Sequence, residues 1–210
     1  MFQMRRTSFD KLLGWIGTGL GVVLLAAGGL LLWGSAYVHN TVQSQLAAQQ
    51  ITFPPAAAFA HPKAGTEITP SMIPSVSQYA GQQLLTGQQA EAYADHFIAV
   101  HIANMTGGKT YAQLSTQAIA QPNNTALQGE VATVFKGETL RSMLLNAYGW
   151  WKVSQITYIA ALAAFGLGTV AAVAGIFGFA RIGRDKKVAA QVGPAIEQIN
   201  ETGHEAGTNA

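Results

Sequence analysis

Residues 153–180 read VSQITYIAALAAFGLGTVAAVAGIFGFA and contain no charged side chain and no proline. A helix of that length, at about 1.5 Å rise per residue, is longer than the roughly 30 Å hydrocarbon core of a bilayer. The stretch is therefore expected to be a transmembrane helix. Residues 12–33, LLGWIGTGLGVVLLAAGGLLLW, form a second such stretch, and the rest of the chain joins these two or trails from them. Gly34 and Ala36 would suit a small-x-small signal cleavage site, but the apolar run exceeds the roughly 7–15 residues of a signal core, so an uncleaved anchor is expected.

Composition points the same way. Of 210 residues 49% are hydrophobic and 10% charged, against about 25% charged in soluble domains. A net charge of +2, with basic residues gathered at the ends of the apolar stretches, argues against a nucleic-acid partner. The chain has no cysteine, which excludes disulfides, thiolate metal sites and a cysteine nucleophile.

Arg5, Arg6 and Lys11 precede the first apolar stretch, and Arg181, Arg184, Lys186 and Lys187 follow the second. The positive-inside rule then puts both termini in the cytoplasm and the long connection outside. Trp33 and Tyr37 leave the first stretch, while Tyr148, Trp150, Trp151 and Tyr158 lead into the second, as aromatic belts do at headgroup level. The expected fold is an all-α membrane protein: two transmembrane helices with a small extracytoplasmic helical module between them, sited in the plasma membrane. Its divisions are a cytoplasmic basic N-terminus (1–11), helix one (12–33), a helix extension and proline-rich arm (34–74), the module (75–152), helix two (153–180) and a cytoplasmic, basic, largely disordered tail (181–210).

Five of the seven prolines, at 54, 55, 62, 70 and 74, fall in residues 51–74, which predicts an extended arm. Beyond it, Thr86, Thr110 and Thr125 each stand three residues before a glutamine, Gln89, Gln113 and Gln128. That spacing is the capping box of a helix N-terminus and predicts three helices. The first carries Ala94, Phe97, Ile98, His101, Ile102 and Met105 on one face and ends at Gly107-Gly108, a left-handed cap. The third starts at Ala126 and runs into the second transmembrane stretch, with at most a kink at Gly137 or Gly149.

Two sets of residues are candidates for holding the structure together. Ala160, Ala164, Gly168 and Ala172 recur every four residues in the second stretch, and Gly17 and Gly21 form a GxxxG in the first. Small residues at that spacing let helix backbones approach closely, so this face is expected to contact the other helix, a second copy or another membrane protein. Arg141 stands near the membrane boundary and wants a carboxylate. Glu138 lies three residues earlier and Glu91 and Asp95 on another predicted helix; a pair with Asp95 would tie two helices together.

The strings YADHFIAVHI (93–102), GGKTYAQL (107–114) and TLRSML (139–144), running into a glycine-rich span, resemble a family of small two-span membrane proteins of actinobacteria. The resemblance covers residues 79–178. It implies the two-span fold but no established activity, and some members carry an automatic label of aromatic ring-opening dioxygenase, the protocatechuate-cleaving alpha subunit. Iron chemistry of that kind needs a compact set such as two histidines and a carboxylate. His96 and His101 would diverge by about 140° on a straight helix and are not expected to share a metal. GGKT at 107–110 lacks the earlier glycine and the preceding strand of a phosphate loop and reads as a helix cap. No catalytic residue and no cofactor is implied. The expected role is a non-enzymatic accessory or structural component whose partners are the bilayer and a helix on the small-residue face. The alternative is an extracytoplasmic ligand-binding or sensor module of a transport or envelope pathway, marked by an apolar pocket between residues 88–105 and 126–148.

Overall fold

The computed structural model describes the backbone of residues 2–60, 62 and 68–208. These are helical almost throughout: α1 (Phe2–Ala48), α2 (Ala56–Ala60), α3 (Ile73–Val76), α4 (Gly87–Ala92), α5 (Ala99–Thr106), α6 (Tyr111–Ala120) and α7 (Thr125–Thr208). A 3₁₀ turn, Ser77–Tyr79, follows α3, and a π-helical stretch, Tyr93–Ile98, joins α4 to α5. No strand occurs among the described residues, where one isolated antiparallel bridge links Thr52 and Gln83. Within α1 and α7 the segments Gly14–Ala48 and Thr125–Arg184 are long and apolar enough to cross a membrane.

Contacts divide the chain into two compact units, one of Met1–Leu32 with Ile159–Ala210 and the other of Trp33–Tyr158. In the first, the α1 and α7 limbs lie antiparallel: Gly14 faces Phe179, Gly21 faces Ala172, and Gly28 faces Phe165 and Ala161. Large side chains such as Leu12, Ile16, Leu30, Leu162, Val170 and Ile176 point away from the pair and are exposed.

The Trp33–Tyr158 unit is built around large buried side chains. Phe53, Met72, Val76, Leu84, Leu114, Val134 and Leu144 form one cluster with Val42 and Leu46 from the end of α1 and with Trp151 of α7. Burying a side chain of the size of Phe53 contributes about 1.5–3 kcal/mol, so this unit is held by what it hides from water. Three core members, Phe53, Phe59 and Met72, come from the proline-punctuated region. That region is therefore no free arm. Prolines limit it to the short helices α2 and α3, while its large apolar residues anchor it; residues 61 and 63–67 of the expected arm lie outside the described residues. The amides of Phe53, Gly81 and Leu84 donate to the carbonyls of Gln82, Pro54 and Ile51 at 2.8–3.0 Å and close the excursion at its base.

Two of the three capping boxes are present. At Thr86 and Thr110 the hydroxyl accepts from the amide of Gln89 or Gln113, whose side chain accepts in return from the cap amide. The box expected at Thr125 is absent, because Asn124 caps α7 instead: its Oδ1 accepts from the Leu127 amide at 3.1 Å, and the Gln128 side chain donates to the Ala118 carbonyl of α6 at 3.0 Å. Asn is as good a cap as Thr, so the helix starts one residue earlier. Gly107 and Gly108 have φ of 59° and 81° and end α5 as the sequence suggests.

α7 continues through both glycines where a kink seemed possible. Gly137 serves a different purpose, since a Cβ there would stand 2.8 Å from Ile102 Cδ1 and keep α5 away. The tail also differs from expectation: α7 is helical to Thr208, through Pro194, although residues 181–210 read as largely disordered. Helix formers such as Ala189, Ala190, Gln191, Ala195 and Gln198 favour that continuation; residues 209 and 210 of the expected tail lie outside the described residues.

Candidate functional site

The residues singled out by spacing fall into two places, a helix seam and an ion pair. In the seam, buried positions recur every seven residues: Gly14, Gly21 and Gly28 on α1, and Ala161, Gly168, Gly175 and Ile182 on α7. Within the Trp33–Tyr158 unit, Ser35 and Val42 on α1 and Ser154 on α7 fall on the same count. Seven residues is the period of a left-handed supercoiled pair, here with small residues as its knobs. A Cβ at Gly21 would stand 2.7 Å from the Ala172 amide nitrogen, and one at Gly168 would stand 3.1 Å from Leu24 Cβ and the Leu25 backbone. At Gly17 the nearest atom is the Ala171 carbonyl oxygen at 3.0 Å. The helices thus meet backbone to backbone.

Of the expected seam residues, Gly17, Gly21, Gly168 and Ala172 lie in this contact and Ala164 is half-buried at its edge. Ala160 is exposed and does not belong to it; its neighbour Ala161 is completely buried and does. A four-residue row drifts about 40° around the helix at each step, so it slides off the contact within a few turns. The seven-residue repeat of glycine at 14, 21 and 28, and of small residues at 154, 161, 168 and 175, was the signal that spacing by four obscures.

The ion pair lies in the other unit. Arg141 Nη2 is 2.8 Å from Asp95 Oδ1, and Nη1 is 3.4 Å from Glu138 Oε2. Asp95 belongs to the π-helical stretch and Arg141 to α7, so the contact joins two helices distant in sequence. The hydrogen bond that Arg141 donates to Asp95 raises the guanidinium above its ordinary value; partial burial works against this and Glu138 adds to it. With side chains about a third exposed, the pair lies between a surface pair and a desolvated one. Arg141 Nε is buried with no hydrogen-bond partner among the described residues.

A third feature was not anticipated. Trp151 is buried against Gly87 at the start of α4, where a Cβ would come within 2.8 Å of Cδ1 and closer still to Cβ and Cγ. The His39 ring lies 4.0 Å from the indole, centroid to centroid. One turn further along α7, the Ser35 hydroxyl donates to the Ser154 carbonyl at 2.7 Å. The sequence places Trp151 in the headgroup belt with Trp150, but about 100° of helix rotation separates the buried indole from the exposed one.

An open groove of about 290 Å³ runs between the end of α1 and α7, lined by Gln45, Leu46, Gln49, Leu140, Met143, Leu144, Asn146 and Ala147. It lies away from the place expected of a ligand pocket, between residues 88–105 and 126–148, where Ile102 and Gly137 are in close contact. His96 is exposed and His101 half-buried. Among the described residues no three His, Asp or Glu side chains are grouped as a metal site would need. No protein-family model, curated protein or solved structure matches the chain.

Proposed function

We propose that the chain is a non-enzymatic accessory or structural component of a bacterial plasma membrane, with both termini in the cytoplasm and the Trp33–Tyr158 unit outside. The observation that carries this reading is the seam. Two helices whose outer faces expose large apolar side chains meet through glycine and alanine, which is how helices associate where lipid offers them no hydrophobic reason to do so. The antiparallel course of the limbs supports both ends lying on one side, and the basic residues flanking the limbs favour the cytoplasm for that side.

Cysteines placed at Ala58 and Thr116 should react with a membrane-impermeant thiol reagent in intact cells, while one at Gly203 should react only after lysis. The opposite pattern would reverse the orientation. The structural role is supported by the filled contact between α5 and α7. A ligand-binding or sensor role draws its support from the groove beside Leu46 and Met143; proteins that co-purify in mild detergent, compared between the native chain and Met143→Lys, separate the two. Turnover of a catechol by purified protein with added iron would overturn the non-enzymatic reading.

A further inference from the structure

Ala90, Ala94, Ile98, Ile102 and Thr106 are all buried and stand four residues apart. Each four-residue step over-rotates a straight α-helix by about 40°, so five such positions cannot stay on one face. The wider π turn, Tyr93–Ile98, takes up the excess, because its i→i+5 bonds hold more residues per turn. His96 is exposed within that turn. Without it, the same buried residues would fall at steps of four, three, four and four, the spacing of an ordinary α-helix. His96 is thus the extra residue of the bulge.

Contacts to α7 stand on both sides of it. Asp95, immediately before, holds Arg141, and Ile102, beyond, packs on Gly137. The helix then ends at two consecutive left-handed glycines, 107 and 108, a joint able to absorb a change of direction. We propose that the π turn is a two-state register switch: the Asp95–Arg141 pair retains the bulged form, and release of the pair lets the helix straighten, drawing α5 along by one residue and turning it by about 100°. The moving corner carries the exposed apolar residues Met105 and Tyr111, so the switch alters the surface that the α5–α6 turn presents.

Spin labels at Met105→Cys and Met143→Cys, both exposed positions in a chain without native cysteine, report the α5–α7 distance in the full-length protein in bilayers. The native background should give one distance. Asp95→Asn, and from the other side Arg141→Gln, should each add a second distance holding on the order of a tenth or more of the population, and deletion of His96 from either variant should restore the native distance alone, because it removes the residue that straightening would add to the helix. A single native distance in both pair variants overturns the proposal, as does a broad distribution without a second maximum. A folded His96 deletion in a pair variant that still shows the second distance overturns it too. If the deletion does not fold, the two pair variants decide.

Discussion

The two units solve the same problem, keeping helices together, with opposite materials. Between the α1 and α7 limbs of residues 2–32 and 159–208 glycine and alanine let the backbones meet, and large side chains such as Leu30, Leu162 and Val170 face outward. In the Trp33–Tyr158 unit the large side chains face inward, with Phe53, Met72 and Leu84 almost wholly buried. Close approach of backbones maximises dispersion contact and needs no water to drive it, whereas a core of Phe, Met and Leu gains by leaving water. The difference implies that one unit tolerates loss of volume and the other does not, with the reverse for gain of volume.

Phe53→Ala should show the largest effect, a loss of about 3–5 kcal/mol through the cavity it leaves, measured by unfolding the purified protein in detergent under near-UV circular dichroism. Leu30→Ala, an exposed position in the other unit, should change stability by less than about 0.5 kcal/mol. Equal losses at the two would erase the contrast between the units. Gain of volume is the converse experiment. Gly21→Leu, whose first added carbon meets the Ala172 backbone, should cost about 1–3 kcal/mol and reduce crosslinking between cysteines at Trp15 and Phe179, which touch edge to face, by roughly tenfold for each 1.4 kcal/mol lost. Gly168→Leu should act in the same direction, and Leu162→Ile, on the exposed side, should leave the crosslink intact.

A double-mutant cycle on Asp95→Ala and Arg141→Ala should give a coupling of about 1 kcal/mol; additive losses would show that the contact contributes nothing. Because folding raises the guanidinium's value, its contribution is complete below the ordinary arginine range and is lost only above it. Arg141→Ala should therefore be equally costly at about pH 6 and about pH 9, both well below that range. The smallest effect belongs to Gln50, which ends α1 with a φ of 54°. Glycine adopts that conformation without steric cost, so Gln50→Gly should be neutral or raise stability by a few tenths of a kcal/mol in the same unfolding assay.

Much of this architecture was legible because local chemistry decides it. The two apolar stretches, the capping boxes at Thr86 and Thr110 and the cap at Gly107 depend on residues within a turn of one another. Asp95 and Arg141 were legible for another reason, since a cation close to a long uncharged stretch has few candidate partners in the sequence. What escaped depends on partners far along the chain. The core role of Phe53, Phe59 and Met72 is hidden by the prolines around them, and the burial of Trp151 depends on Gly87, 64 positions earlier. Nothing local marks the π turn either, because its extra residue shows only when Ala90 and Thr106 are known to share a face.

The closed base of the excursion between Thr52 and Gln83 has a practical corollary. Its ends are pinned by the backbone bonds of residues 51–54 to 81–84 and by the Gln83 side chain, whose Nε2 donates to the Ala47 carbonyl at 3.1 Å and so fastens the base to the last turn of α1. A chain segment anchored this way can be lengthened cheaply, since each doubling of a flexible loop adds only about 0.6 kcal/mol. Ala60 is exposed at the end of α2, so an epitope or a small fluorescent domain inserted after it would give a handle on the protein in living cells while leaving both termini and the helix seam untouched.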